Sequence, residues 1–494
     1  MTSSRRVVWR ALSFARAALG TGFCALLAAR GAAGAEAAAA WHQTDFPAEE
    51  FRARHARLLE SIGEKAAAFL PGAPPAGGFV FPRQSNDFYY LCGVETPSSY
   101  LFLDGRSRRV TLFLPPRNAR LEAAEGKVLS AGDVELAKRV TGADDVQSTD
   151  VLRGDWLAAL PGGPPESVWT PFAPAERSAE QRYELRAANA AIAADPWDGR
   201  IPREARLVEL LRARYPRVRV EDLTPVLDRL RAKKSPREIA LIRRASRLAG
   251  LGLLEAMRST RPGVTEYALD AAARYVFLVN GARLEGYRSI TASGTGNIAN
   301  MHYFRNQAVL KAGDLVLMDY APDVGYYTSD IARVWPVSGK YSATQRELLG
   351  FVLEYRNAIL ARIRPGATVG QIQEEARAAM EPVFARTRFS KPAYEAAARK
   401  LVETGGGVFS HPVGLAVHDD GPYAEVPLEA GVVFSVDPQL RVPEENLYLR
   451  YEDVVAVTET GVENFTAFLP SDLSSLERAV GGRGIVQQFP PASP

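Results

Sequence analysis

Asp314-Leu-Val-Leu-Met-Asp319-Tyr-Ala-Pro-Asp-Val-Gly325-Tyr-Tyr-Thr-Ser-Asp330-Ile-Ala-Arg-Val-Trp335 decides how the rest of the chain is read. Residues 315–318 are a short apolar run that ends abruptly in a carboxylate. Pro322, Asp323 and Gly325 are turn chemistry, and residues 326–335 are rich in aromatic and β-branched side chains, as a strand is. A hairpin turning about Val324-Gly325 sets Asp319 directly opposite Asp330, with Cβ atoms roughly 5 Å apart. Two like charges placed so repel, and beside a buried strand they are costly. A divalent cation between them makes the arrangement favourable. Two solvated surface aspartates are the alternative reading of this stretch taken alone.

The remaining composition narrows the choice. With 494 residues the chain has room for two or three domains and a large core, and its 47% hydrophobic and 24% charged residues are ordinary for a globular protein. A net charge of +3, partly from Arg5, Arg6, Arg10 and Arg16, leaves no basic patch with interleaved aromatics, so nucleic acid is not an expected partner. Cys24 and Cys92 are the only cysteines, which excludes a disulfide framework and a cysteine-based zinc site.

The first 35 residues read as an export signal. A positive region at Arg5, Arg6 and Arg10 precedes the apolar run 17–29, which is too short for a comfortable membrane span. Ala33-Gly34-Ala35 fits the small-residue cleavage pattern, and Ser4-Arg5-Arg6 resembles a twin-arginine signal. The expected product is a periplasmic or secreted protein cleaved near Ala35, with no stable membrane association. An uncleaved anchor is the alternative. Cleavage removes Cys24 and leaves one cysteine, which suits an oxidising compartment.

Residues 45–215 read as one α/β unit, with a helical period over 51–69 and strands at 77–82, 100–104 and 110–115. The aromatic stretch Asn86-Asp-Phe-Tyr-Tyr-Leu-Cys-Gly93 suits either a pocket or a core. A domain boundary is placed near 220. Ser235-Pro-Arg-Glu238 carries an N-cap, a first-turn proline and a capping glutamate, so a helix is expected to run to about Ser259. Arg261-Pro-Gly-Val-Thr265 then recurs as Arg364-Pro-Gly-Ala-Thr368, each closing one helix and opening another, and Ser342 with Gln345 forms a further capping box. This echo implies two similar halves, together making one sheet around a central cleft, within a catalytic domain of 221–475. Residues 476–494 are expected to form a flexible tail.

The second half repeats the carboxylate pattern. Val432-Val-Phe-Ser-Val-Asp437 is an apolar run ending in an acid, and Leu447-Tyr-Leu-Arg450-Tyr-Glu452 is its partner. A hairpin centred between Glu444 and Glu445 sets Asp437 opposite Glu452. His411 and His418 lie upstream and His302 precedes the opening strand, so three of the five histidines fall close to these acids.

On Met318-Asp319, Asp330, His411, Val436-Asp437-Pro438 and Arg450-Tyr-Glu452-Asp453, residues 235–470 resemble the catalytic domain of the pita-bread metallopeptidases. That family includes Xaa-Pro aminopeptidases, prolidases and methionine aminopeptidases. Residues 45–215 are similar to the creatinase-like N-terminal domain of the first two groups. The resemblance implies an α/β (α+β) fold in which that domain precedes a pseudo-symmetric pita-bread domain. It implies a dinuclear site in which Asp319 binds one ion, Asp330 and Glu452 bridge both, and His411 and Asp437 complete the second. His302, His418 and Asp437 then take catalytic roles, and His302, His418 and Arg450 lie against the substrate. The implied reaction is hydrolysis of the N-terminal Xaa-Pro bond of peptides by a metal-bridged hydroxide. A prolidase restricted to Xaa-Pro dipeptides and a catalytically impaired peptide-binding homologue are the alternatives. Homo-oligomers are common in the family.

The donor chemistry agrees independently. Four carboxylates and an imidazole suit two borderline-hard divalent ions, manganese first, with cobalt and zinc as alternatives. Two such ions about 3.5–4 Å apart acidify water and polarise a carbonyl. Two departures stand out. The family most often has glutamate where this chain has Asp437, whose side chain reaches about 1.5 Å less far, one carbon–carbon bond. It also often has a histidine four residues before the ligand position of His411, where this chain has Gly407.

Overall fold

The computed structural model describes residues 41–490 apart from Gly78, Phe79 and Phe81. The export segment, its cleavage site and Cys24 lie outside the described residues, and of the strand expected at 77–82 the described residues Gly77, Val80 and Pro82 are in no strand. Among the described residues no helix is long and apolar enough to cross a membrane.

The first layer is a six-stranded mixed sheet in the order Asp145–Ser148, Arg109–Leu114, Tyr100–Asp104, Ala66–Pro71, Ser167–Thr170, Arg219–Asp222. Its central strand overturns the helical reading of 51–69. The helix is Ala48–Ile62, and Gly63, at φ 81°, ends it. The chain then reverses into a strand whose alternate residues feed two cores. Ala67 and Phe69 join a cluster with Phe102, Phe113 and Leu157, while Ala68 and Leu70 face the main core. Burial on both faces hides the period-two alternation that marks a half-exposed strand. The aromatic stretch forms the buried helix Asn86–Cys92, so it is core. Cys92 is free and buried there, which pushes its thiol up to about 12.

The capping signals hold. Helix Pro236–Ser259 opens on the Ser235–Glu238 capping box, and helix Ala343–Leu360 on that of Ser342 and Gln345. The sequence echo is matched bond for bond. Gly263 N donates to Leu310 O (2.9 Å) and Leu310 N to Val264 O (2.8 Å), while Gly366 N donates to Leu428 O (2.8 Å) and Leu428 N to Ala367 O (2.9 Å). Each copy thus ties the turn between two helices to the segment that leads into a strand of its own half, Leu315–Asp319 in one and Val433–Val436 in the other.

The two halves do not share one continuous ladder. Strands Ala332–Pro336, Leu315–Asp319 and Ile290–Ser293 form one antiparallel sheet, and Val433–Val436, Asp453–Val457 and Val462–Asn464 form another. They meet where Glu452 N donates to Ala332 O at 3.1 Å. Asp319 ends the strand Leu315–Asp319, Asp437 follows Val433–Val436, and Glu452 lies between Leu447–Arg450 and Asp453–Val457, so these carboxylates sit at strand ends. The tail is also packed: Leu473–Ala479 is helical, Arg261 donates to Gly482 O (2.7 Å) and Ile485 N reaches Glu255. Residues 491–494 lie outside the described set.

Candidate metal centre

The opening hairpin turns one residue later than expected. Val324 and Tyr327 exchange backbone hydrogen bonds of 2.8 and 3.1 Å around Gly325 (φ 59°) and Tyr326 (φ 75°). Positive φ at both central residues is the two-residue turn whose twist suits a hairpin. Tyr326 adopts it because its ring stacks on Tyr89 at 3.4 Å and its hydroxyl accepts from Gln84 N at 3.0 Å. The register therefore moves by two, and Asp319 faces Ala332, not Asp330. Since side-chain direction repeats every two residues, the shift keeps both acids on one face. The second hairpin has the expected register: Gln439 faces Arg450, and Val436 faces Asp453, on either side of the Asp437 and Glu452 positions.

Among the described residues, two groups have donor atoms within 4.8 Å of one another: Asp319, Asp330 and Glu452, and Asp330 with His411 and His418. Asp330 belongs to both. Its Oδ2 lies 3.2 Å from His411 Nε2, while its Oδ1 is buried without a partner, as is Oε1 of Glu452. His411 Nδ1 lies 3.0 Å from the carbonyl of Pro412 and its Nε2 faces Asp330, so both ring nitrogens meet acceptors, and a proton on Nδ1 leaves Nε2 for a cation bound beside Asp330.

Arg450 is buried at the centre of the acids. It donates to Asp319 Oδ2 (2.8 Å) and Asp437 Oδ1 (3.0 Å), and also to Glu452 Oε2. Tyr287 donates its hydroxyl proton to Asp319 Oδ1 at 2.6 Å. Burial pushes the carboxyls of Asp319 and Glu452 well above the ordinary range, against the opposing pull of Arg450. Burial also acts on Asp330, but His411, His418 and Arg450 hold its carboxyl down to about 2. Burial first, and then the neighbouring His411, lower His418 to about 3, which favours the neutral imidazole.

Asp437 has its expected register position opposite Glu452. It enters neither donor group, and it is held by Arg450 and by Gln439, whose Nε2 donates to Asp437 Oδ2. Its short side chain stops at the guanidinium. Gly407 is tied to the same rearrangement. At φ 76°, a Cβ there would run into the backbone carbonyl of Asp437 and meet Gln439 Cγ and Nε2 at 2.8 Å, so the space a side chain would need is filled by the Asp437 backbone and the Gln439 side chain. His302 is on an exposed turn in the neighbourhood of His418. The loop carrying His418 is anchored by Asp419, which pairs with Lys234 (3.2 Å) and Arg231.

Sequence reading alone missed Tyr287 and Gln439. Tyr287 stands well before the Asp319 motif and has no spacing signal. Gln439 is two residues from Asp437 and would have been found by asking what fills the void at Gly407.

These residues fit divalent cations. Four buried carboxylates, Asp319, Asp330, Asp437 and Glu452, face one guanidinium, and two carboxylate oxygens have no partner. Uncompensated buried charge of this kind is otherwise strongly unfavourable. The oxygen-rich donor set with imidazole matches ions of the manganese, cobalt and zinc type.

Comparison with known proteins follows the same division. Residues 240–459 match the model of metallopeptidase family M24, and residues 51–162 match that of the aminopeptidase P N-terminal domain. The Xaa-Pro aminopeptidase of Escherichia coli is 29% identical, over 87% of this chain and 97% of its own. The structure of E. coli aminopeptidase P with the inhibitor Pro-Leu is 27% identical, covers 88% of this chain and 98% of that one, and superposes with a TM-score of 0.70. A putative aminopeptidase P from Bacillus anthracis, 23% identical with the same coverages and a TM-score of 0.72, shares the fold.

Proposed function

We propose that the chain is an exported dinuclear enzyme of metallopeptidase family M24, releasing the N-terminal residue from peptides with proline in second position. The observation that carries this reading is the convergence of Asp319, Asp330, Glu452, His411 and His418 into two overlapping donor groups that share Asp330. The Xaa-Pro preference rests on the likeness to Xaa-Pro aminopeptidases over both domains. In this reading residues 45–220 are the N-terminal domain, 221–475 the catalytic domain, and 1–35 the export signal.

Asp319, Asp330, Glu452 and His411 would hold two ions, manganese by preference, which supply an acidified water and a polarised scissile carbonyl. The protein's own groups set the frame. Arg450 cross-links Asp319, Asp437 and Glu452, so three carboxylates from different strands keep fixed orientations. Tyr287 holds the rotamer of Asp319. The Pro412 carbonyl beside Nδ1 of His411 suits the tautomer that a ligand needs. His418, neutral and against His411 at 3.9 Å between ring centroids, is placed to accept a proton from, or hydrogen-bond to, the reacting group. His302, at the exposed rim, is placed to meet the peptide.

The test is hydrolysis after manganese loading. Release of the N-terminal residue from Xaa-Pro-Xaa tripeptides is expected. Cleavage of Xaa-Pro dipeptides alone would make the enzyme a prolidase. The engagement of Asp437 by Arg450 and Gln439 favours one other reading, an impaired peptide-binding homologue. Fewer than one tightly bound manganese per chain, with no hydrolysis, would establish it. N-terminal sequencing of exported protein tests the signal, with a mature end near residue 36 expected.

A further inference from the structure

The helix Arg182–Ala194 lies between the two matched spans of the chain, and Arg182 is its one fully buried residue. The Arg182 guanidinium is clamped by Glu176 (3.1 Å), Asp228 (2.7 Å) and Asp420 (3.2 Å). Asp420 is two residues beyond His418, so the first turn of this helix is fastened to the loop that carries that imidazole. Tyr183, next in line, lays its ring on His418, with centroids 5.9 Å apart and planes 15° apart. His418 rests in turn on His411 at 3.9 Å, and His411 reaches Asp330 at 3.2 Å. Contact thus runs unbroken from the buried acids to Tyr183, which is 51% exposed. Among the described residues, the Tyr183 hydroxyl meets its neighbour, Glu184 Oε1, at 3.4 Å. A large aromatic ring is therefore held at the rim of the centre by an ion cluster, with much of its surface uncovered.

We propose that Tyr183 is a specificity-determining residue: with His418 it forms an aromatic wall against which the pyrrolidine ring of the substrate proline packs. The inference rests on the peptidase reading above. An aromatic face attracts the partly positive C–H edge of a saturated ring, and proline loses almost no side-chain freedom on binding. The clamp at Arg182 positions the wall before substrate arrives.

Tyr183→Ala and Tyr183→Phe would be compared with the parent, manganese-loaded, on Xaa-Pro-Xaa and matched Xaa-Ala-Xaa peptides. Tyr183→Ala is expected to raise KM for the proline peptide about fivefold, with kcat within about twofold and little change for the alanine peptide, while Tyr183→Phe behaves as the parent. An unchanged proline-to-alanine ratio of kcat/KM in Tyr183→Ala overturns the proposal. Should the parent cleave neither peptide, the peptidase reading fails by itself, and calorimetric binding of the uncleaved Xaa-Pro-Xaa peptide decides the inference. Weaker binding by Tyr183→Ala supports it, whereas equal binding, or none by the parent, overturns it.

Discussion

Arg450→Met keeps most of the side-chain volume at the centre of the acids and removes the one cation that pairs with Asp319, Asp437 and Glu452. Without metal, the variant leaves buried carboxylates facing one another. Breaking a buried pair by removing one partner costs about 3–5 kcal/mol. At roughly 2–4 °C per kcal/mol for a domain of this size, the metal-free variant should melt about 6–20 °C below the parent. With two dications bound, the acids regain positive partners and most of that loss should disappear. The difference is a coupling between the guanidinium and the metals: about 3 kcal/mol corresponds to roughly 150-fold tighter metal binding by the variant. Thermal unfolding of both proteins in chelator and in manganese, at one scan rate, measures the first quantity, and metal titration measures the second. Equal melting losses with and without manganese would show that Arg450 and the ions do not share these carboxylates, and the assigned site would be wrong.

Three further outcomes are expected. Asp330→Ala removes the acid common to both donor groups, so bound manganese should fall below one per chain and activity to background; retained turnover would place the site elsewhere. Asp437→Glu extends the carboxylate by about 1.5 Å past the guanidinium and should keep both ions and match or exceed parental activity; loss of metal by elemental analysis would mean the centre is adapted to aspartate. Asp453 is fully buried, yet Arg333 and Arg356 outweigh its burial and hold its carboxyl down to about 2, from an ordinary value of 3.8. A depressed folded value contributes stability above the unfolded one. Asp453 should therefore add about 2 kcal/mol at neutral pH, lost as pH falls from near 4 through 2. Asp453→Asn should be less stable at pH 7 and lack that part of the acid limb in denaturant titrations; an unchanged limb would count against the triad.

What the sequence determined by itself was local or repeated. Capping boxes at Ser235 and Ser342 depend on contacts three residues apart, and both formed. The Arg-Pro-Gly echo and the acid-terminated apolar runs marked a doubled domain, because each motif punctuates its own half. Identity of the acids survived even an error in the first register, since a shift of two residues preserves the face. What only tertiary structure decided depended on distant partners. The turn at Gly325-Tyr326 follows from a stack on Tyr89, far away in the other domain. The central strand Ala66–Pro71 is buried on both faces, so its periodicity was silent. In sequence, Asp437 stood out only as an acid one carbon shorter than the family's usual glutamate. Its pairing with Arg450 and the filling of the Gly407 space by Gln439 depend on where the strand ends stop, to within the length of one carbon–carbon bond. Residue type and spacing carry charge and direction along the chain, whereas the distance between side chains on separate strands exists only after folding.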